Sequence, residues 1–248
     1  MIRDILTVMW KERKGLFRQG GSRSRALLTL LVPVIMLAIF LPWQIGADWV
    51  ETYWSILASV LIPLLLVGTV IPESFAGERE RYTLSTLLAS RLPDRAILFG
   101  KIAMAVGYGW GITLIVLIIS LVTVNIAHWD GQLMLFTPTI ALVNIVFSLI
   151  LASIMACLGV LISLRASTVQ GATQFLMAAT LFPLILLQVA GVLVLQVWRE
   201  WFDNFMNTLA TVNWTQVILI IGAVLVLVCA GLIWAVMVRF KRARLILS

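Results

Sequence analysis

Residues 102–126 read IAMAVGYGWGITLIVLIISLVTVNI, 25 positions without one Asp, Glu, Lys or Arg. Wound as a helix at 1.5 Å per residue this run is about 37 Å long, more than the roughly 30 Å of a bilayer's hydrocarbon core. Working outward, comparable apolar runs occupy Ala26–Trp43 and Trp54–Ile71 on the amino-terminal side. Pro138–Leu164, Ala172–Gln196 and Thr215–Val238 follow on the other. The pattern predicts an all-α integral membrane protein with six transmembrane helices in a single domain over 1–248. Residues 1–25 form an amino-terminal segment, 26–238 the six-span bundle and 239–248 a basic tail. Composition agrees: 62% of residues are hydrophobic, 12% are charged and the mean hydropathy is +1.07. That excludes a soluble globule and leaves little chain for a soluble domain.

The formal charge of +7 would suggest nucleic acid in a soluble protein, but here its placement decides. With the amino end in the cytoplasm, 17 of the 18 Lys and Arg residues fall on inner segments. Only Arg199 falls outside, beside Asp48, Glu51, Asp130, Glu200 and Asp203. This asymmetry is the one expected when translocation disfavours Lys and Arg, and it agrees with an even number of spans. The charge therefore reports topology: both termini cytoplasmic, in a cell inner (plasma) membrane, with no nucleic-acid partner. Trp43, Trp49, Trp54, Trp129, Trp198, Trp201 and Trp214 all fall at outer span ends, where amphipathic rings favour the headgroup layer. The basic stretch before the first span has no A-x-A after it, which predicts an uncleaved start.

Three apolar segments are not expected to cross. Ile2, Ile5, Leu6, Met9 and Leu16 recur at helical spacing with Arg3, Lys11, Arg13 and Lys14 largely opposite, predicting an interfacial helix on the inner leaflet, broken by Gly15 and Gly20-Gly21-Ser22. Between spans five and six, Trp198, Trp201, Phe202, Phe205, Leu209 and Val212 fit a short outer helix, with a plain loop as the alternative. The third segment joins spans two and three. Glu78 and Glu80 are read in the first turn of a helix with Leu84, Leu87 and Leu88 on one face, Pro93 stopping it and Asp94 capping the run into span three. Such a helix suits docking into a groove on a partner protein, or lying on the lipid surface.

On these residues the chain resembles the type-2 ABC exporter permeases. Their hallmark is an acidic-basic stretch, a Thr-Leu pair, a Leu-Leu pair, a Pro, then Ile and Gly-Lys. Here these are Glu78-Arg79-Glu80-Arg81, Thr83-Leu84, Leu87-Leu88, Pro93, Ile97 and Gly100-Lys101, with Tyr82 where the family usually has Gly. Ser163-Leu164-Arg165-Ala166-Ser167 is similar to the family's second inner loop. The resemblance implies a homodimer, or a pair with a similar permease, in which each subunit receives one ABC ATPase subunit. Residues 78–92 would be the coupling helix, with Glu78, Arg79, Glu80, Arg81, Thr83, Leu84, Leu87, Leu88 and Arg91 contacting that ATPase. It also implies a pathway lined by spans two and five, including Pro63, Gln174, Phe175, Gln188 and Val192.

No G-x-x-x-x-G-K-S/T phosphate loop occurs, so ATP and Mg would be bound by the partner chain, and this chain is not expected to be an enzyme or to hold a cofactor. No G-x-S-x-G elbow occurs, and His128, the only histidine, reads as a wet loop residue rather than a metal ligand. Cys157 and Cys229 read as small buried hydrophobes. No charged residue lies at mid-depth of a span, which argues against proton or sodium coupling. Asn144, Ser148, Ser153, Gln174 and Gln188 read as helix-to-helix glue, and Gly107, Gly109 and Gly111 as close-approach sites within a subunit or between two. Pro33, Pro63 and Pro183 should kink their spans. The competing readings are a six-span channel or substrate-capturing component of an uptake system, and a membrane factor that transports nothing.

Overall fold

The computed structural model describes residues 1–18, 31–83, 92–129, 131–197 and 214–240. Every regular element among them is helical, and five helices are long and apolar enough to cross a bilayer. The chain is an all-α membrane protein. The elements are α1 (Ile2–Arg18), α2 (Leu31–Ile45), α3 (Ile56–Glu80), α4 (Asp94–Ala127), α5 (Pro138–Ser163), α6 (Val169–Val197) and α7 (Trp214–Arg239). A one-turn helix at Asp48–Glu51 and a 3₁₀ turn at Tyr53–Ser55 join α2 to α3. At the ends away from Lys101, α4 to α7 agree with predicted spans three to six to within one residue. The first predicted span is described from Leu31 onward, with a π-helical stretch at Met36–Phe40 just after Pro33. The segment read as a short outer helix between α6 and α7, with Trp198, Trp201, Phe202, Phe205, Leu209 and Val212, lies outside the described residues.

Two boundaries move by several turns. The second span was read to end at Ile71, but α3 runs on unbroken to Glu80, through both Pro63 and Pro72. Polar residues lower the hydropathy of Glu73–Glu80 without breaking its helical hydrogen bonds, so periodicity of apolar residues undercounts the helix. Likewise α4 begins eight residues before the predicted third span, at Asp94. Pro93, in extended backbone, precedes it, so Asp94 is its first residue and not the cap that the sequence suggested.

Helix α3 is the centre of the bundle: α4, α5 and α6 pack around it, α1 lies against α4, and α7 packs on α5. More than half of the most apolar window of α3 is buried, against none of that of α7. In lipid, apolar side chains gain little by leaving the hydrocarbon, so close backbone approach through small residues decides which helix sits inside. Gly109 of α4 faces Val67 of α3, where a Cβ would lie 2.4 Å from Val67 Cγ2, and Gly159 of α5 faces Ile71 at 2.7 Å. Among the described residues Gly107 and Gly111 have nothing within 4 Å, so of the three glycines it is Gly109 that packs against a described neighbour.

Buried polar groups pin the register. Asn144 of α5 accepts from Ser59 Oγ at 2.8 Å and donates to Ser55 Oγ at 2.8 Å, the interhelical glue expected of it. Ser148 and Ser153 instead bond to carbonyls of their own helix, and Gln174 and Gln188 are exposed. Trp43, Trp54 and Trp129 are exposed. Trp49 is not: it is fully buried, with Nε1 donating to Ser120 Oγ at 3.1 Å. Its spacing to a span end could not distinguish a ring in headgroups from one folded back into the core. Cys157 is buried and Cys229 half-buried.

Candidate functional site at the basic end of the bundle

The ends of α1, α3 and α4 meet around one ammonium group. Lys101 lies in the second turn of α4, and its side chain is 0% exposed. Its Nζ stands 3.1 Å from Glu12 Oε1 of α1 and 3.0 Å from Glu78 Oε2 of α3. Nζ also donates to Ser74 O at 2.6 Å and to Ser74 Oγ at 3.1 Å, and sits 5.1 Å above the Phe75 ring. Lys11 Nζ pairs with Glu78 Oε1 at 2.7 Å, and Ser74 Oγ donates to Glu12 Oε2 at 3.1 Å. Glu12 Oε1 and Glu78 Oε2 accept no aligned hydrogen bond and are held by charge alone. Two cations and two carboxylates cancel, as they must where a buried charge would otherwise cost several kcal/mol.

Close backbone approach makes the cluster possible. Val8 of α1 is buried against Gly100, where a Cβ would lie 2.7 Å from Val8 Cβ and 3.1 Å from the Ile5 carbonyl oxygen. One turn after Val8, Glu12 is thereby delivered to Lys101. Helix α1 is thus not simply an interfacial helix with one apolar face. Ile2, Leu6 and Trp10 form an exposed stripe, with Lys14 Nζ 3.8 Å over the Trp10 ring, while Val8 docks on α4. Gly15 lies inside the helix and does not break it. A cavity of about 260 Å³ beside the cluster is lined by Lys11, Glu12, Glu73, Glu78, Arg81 and Lys101 among others.

The next residues of α3 reach the turn between α5 and α6. Arg79 Nη1 donates to Ala166 O at 3.3 Å, and Glu80 Oε2 accepts from Val169 N at 3.2 Å. Arg81 pairs with Glu73 Oε1 at 2.8 Å. The helix ends in a left-handed turn: Thr83 N donates to Glu78 O at 2.9 Å, and Tyr82, 88% exposed, takes φ +56°. This is the helix-terminating geometry in which glycine is favoured.

Of the residues read as ATPase contacts, Glu78, Arg79, Glu80, Arg81 and Thr83 are brought together here. They lie at the end of α3 rather than in the first turn of a new helix, so the carboxylates sit at the negative end of the dipole and are held by Lys101, Lys11 and Val169 instead. Leu84, Leu87, Leu88 and Arg91 lie outside the described residues. The residues read as pathway lining do not converge: Pro63 is buried in α3, whereas Gln174, Phe175, Gln188 and Val192 lie on the exposed side of α6. Sequence reasoning missed Glu12 and Ser74 as partners of Lys101, and Lys11 as a partner of Glu78. The available signal was Glu12, one turn beyond Val8 and the one acidic residue of the helix after Asp4 in its first turn. At the opposite end His128 is exposed, its ring against Gly46, whose φ is +69°.

No protein-family model matches the chain. No curated protein matches it either.

Proposed function

We propose that this chain is the membrane-spanning permease subunit of an ATP-binding cassette exporter, with six spans, both termini in the cytoplasm and a paired second subunit. The observation that carries this reading is that α3 is one continuous rod of 25 residues, about 37 Å, from the buried core to Glu80 at the basic end. A push on the segment after Glu80 would therefore be passed directly to the second span. Lys101 ties α1 and α4 to that rod through Glu12 and Glu78, and Arg79 and Glu80 tie it to the start of α6. One displacement at the base would move the second, third and fifth spans together.

In this mechanism a separate ATPase subunit binds ATP and Mg and grips residues 78–92. Its closure favours one arrangement of the spans and its opening another, so the cavity between two permease subunits alternates in access. Glu80, Arg81, Tyr82 and Thr83 are exposed, which suits them to that contact, while Glu78 serves the internal cluster. The exposed side of α6, carrying Gln174, Gln188 and Val192, suits the face toward a second subunit, where these residues and their copies would line the pathway.

Co-expression with any ABC ATPase encoded beside this chain's gene tests the proposal. The unaltered protein should co-purify with that ATPase and stimulate its hydrolysis in vesicles. Arg81→Glu combined with Thr83→Arg should lower recovery of the ATPase at least tenfold while the permease still elutes as a single species. Full recovery with the double variant would place the docking face elsewhere. Substrate flux by the purified chain without ATPase or nucleotide would replace the exporter with a channel.

A further inference from the structure

We propose that the cleft at the basic ends of α5, α6 and α7 binds the phosphate headgroup of an anionic phospholipid, with Arg165 and Arg239 as its ligands. The inference needs only the reading of the chain as a membrane protein and not the exporter assignment. Helices α6 and α7 each pack on α5 and scarcely on each other, which leaves a cavity of about 500 Å³ where they diverge. Arg165 and Arg239 line it together with Thr168, Leu161, Ile162 and Phe175.

Among the described residues, the charges in this cleft differ from those of the neighbouring cluster in lacking a carboxylate partner. Lys11, Lys101 and Arg81 each have a carboxylate. Among the described residues neither Arg165 nor Arg239 has one. Glu80, the carboxylate that reaches this turn, is engaged by Val169 N, and Thr168 Oγ1 accepts from Gly171 N, so the start of α6 is already capped. The two guanidinium groups carry the site.

Depth and lining select a lipid. Arg239 is the last residue of the final span and Arg165 follows the end of α5 by two residues, which sets both at headgroup level. Leu161, Ile162 and the 65% exposed Phe175 continue the wall toward the hydrocarbon, where an acyl chain would lie. A basic pocket between transmembrane helices with an apolar extension fits a phosphodiester carrying acyl chains, and guanidinium forks match phosphate oxygens two at a time.

Native mass spectrometry of the purified chain in a neutral detergent, titrated with phosphatidylglycerol or with phosphatidylcholine of the same acyl chains, tests this. The unaltered chain should retain phosphatidylglycerol at least about fivefold better, the factor expected for one cation at an anionic surface. Arg165→Gln and Arg239→Gln should each remove most of that preference and together abolish it, whereas Arg13→Gln on the exposed side of α1 should leave it intact. A double variant that keeps the preference, or an equal loss with Arg13→Gln, overturns the site. Complete displacement of the lipid by excess inorganic phosphate would assign the cleft to a free anion and overturn the lipid reading. No ATPase is present, so failure here leaves the exporter proposal standing, and loss of ATPase binding leaves this one standing.

Discussion

At the scale of single residues, Lys101 and Tyr82 show opposite ways of holding an unfavourable group. The Lys101 ammonium is out of water but faces two carboxylates and a carbonyl. Lys101→Met leaves two carboxylates that are only 16% and 15% exposed to share Lys11, and should destabilise the protein by about 3 kcal/mol, read as a lowered unfolding midpoint in detergent. Adding Glu12→Gln and Glu78→Gln to Lys101→Met should recover most of the loss. A neutral Lys101→Met would mean that the ion cluster contributes nothing. Tyr82 holds a left-handed backbone that costs a non-glycine residue roughly 1 kcal/mol. Tyr82→Gly should raise the midpoint slightly and Tyr82→Val lower it, because a β-branched side chain tolerates φ +56° worst. The reverse order would contradict the turn described here. Tyr82 stands where the resembled family has Gly, and the backbone gives a physical reason for that preference.

Among the elements, α1 is the one whose role changes most. Its amphipathic spacing is plain in the sequence, and the exposed stripe of Ile2, Leu6 and Trp10 agrees with a lipid-facing side. Spacing alone could not show that Val8 seats on Gly100 and carries Glu12 to Lys101, since that depends on an element 92 residues away in the chain. Gly100→Ala would drive a methyl into Val8 and the Ile5 carbonyl, an overpacking worth about 1–3 kcal/mol. Trypsin cleavage after Arg13 and Lys14 should then become several-fold faster in detergent, and Val8→Ala should restore resistance only in part, because the contact with the Ile5 carbonyl remains. Unchanged cleavage in Gly100→Ala would show that α1 is not held by this contact. For α3, the same limit applied in another form: charged residues ended the apolar run at Ile71 while the helix went on to Glu80.

For the whole molecule, the prediction is orientation. With Cys157 and Cys229 replaced by Ala, Leu133→Cys at the tryptophan end should react with a membrane-impermeant maleimide on intact cells. Arg3→Cys should react only after the cells are opened or in inverted vesicles. Labelling in the opposite sense would reverse the topology and remove the site for a cytoplasmic ATPase. Apolar run length and charge patterning were enough to determine from sequence that the chain is a helical membrane protein and roughly where its long helices lie, though Glu78 and Glu80 were read as opening a new helix and instead close α3. These are local properties of solvation and backbone geometry. Only the tertiary structure decided which carboxylates neutralise Lys101, that Trp49 is buried, that Gly109 packs against Val67, and that Arg165 and Arg239 share a cleft. Each depends on which helices touch, and in lipid that is set by close packing and charge pairing between distant segments, which leave no periodic trace in the chain.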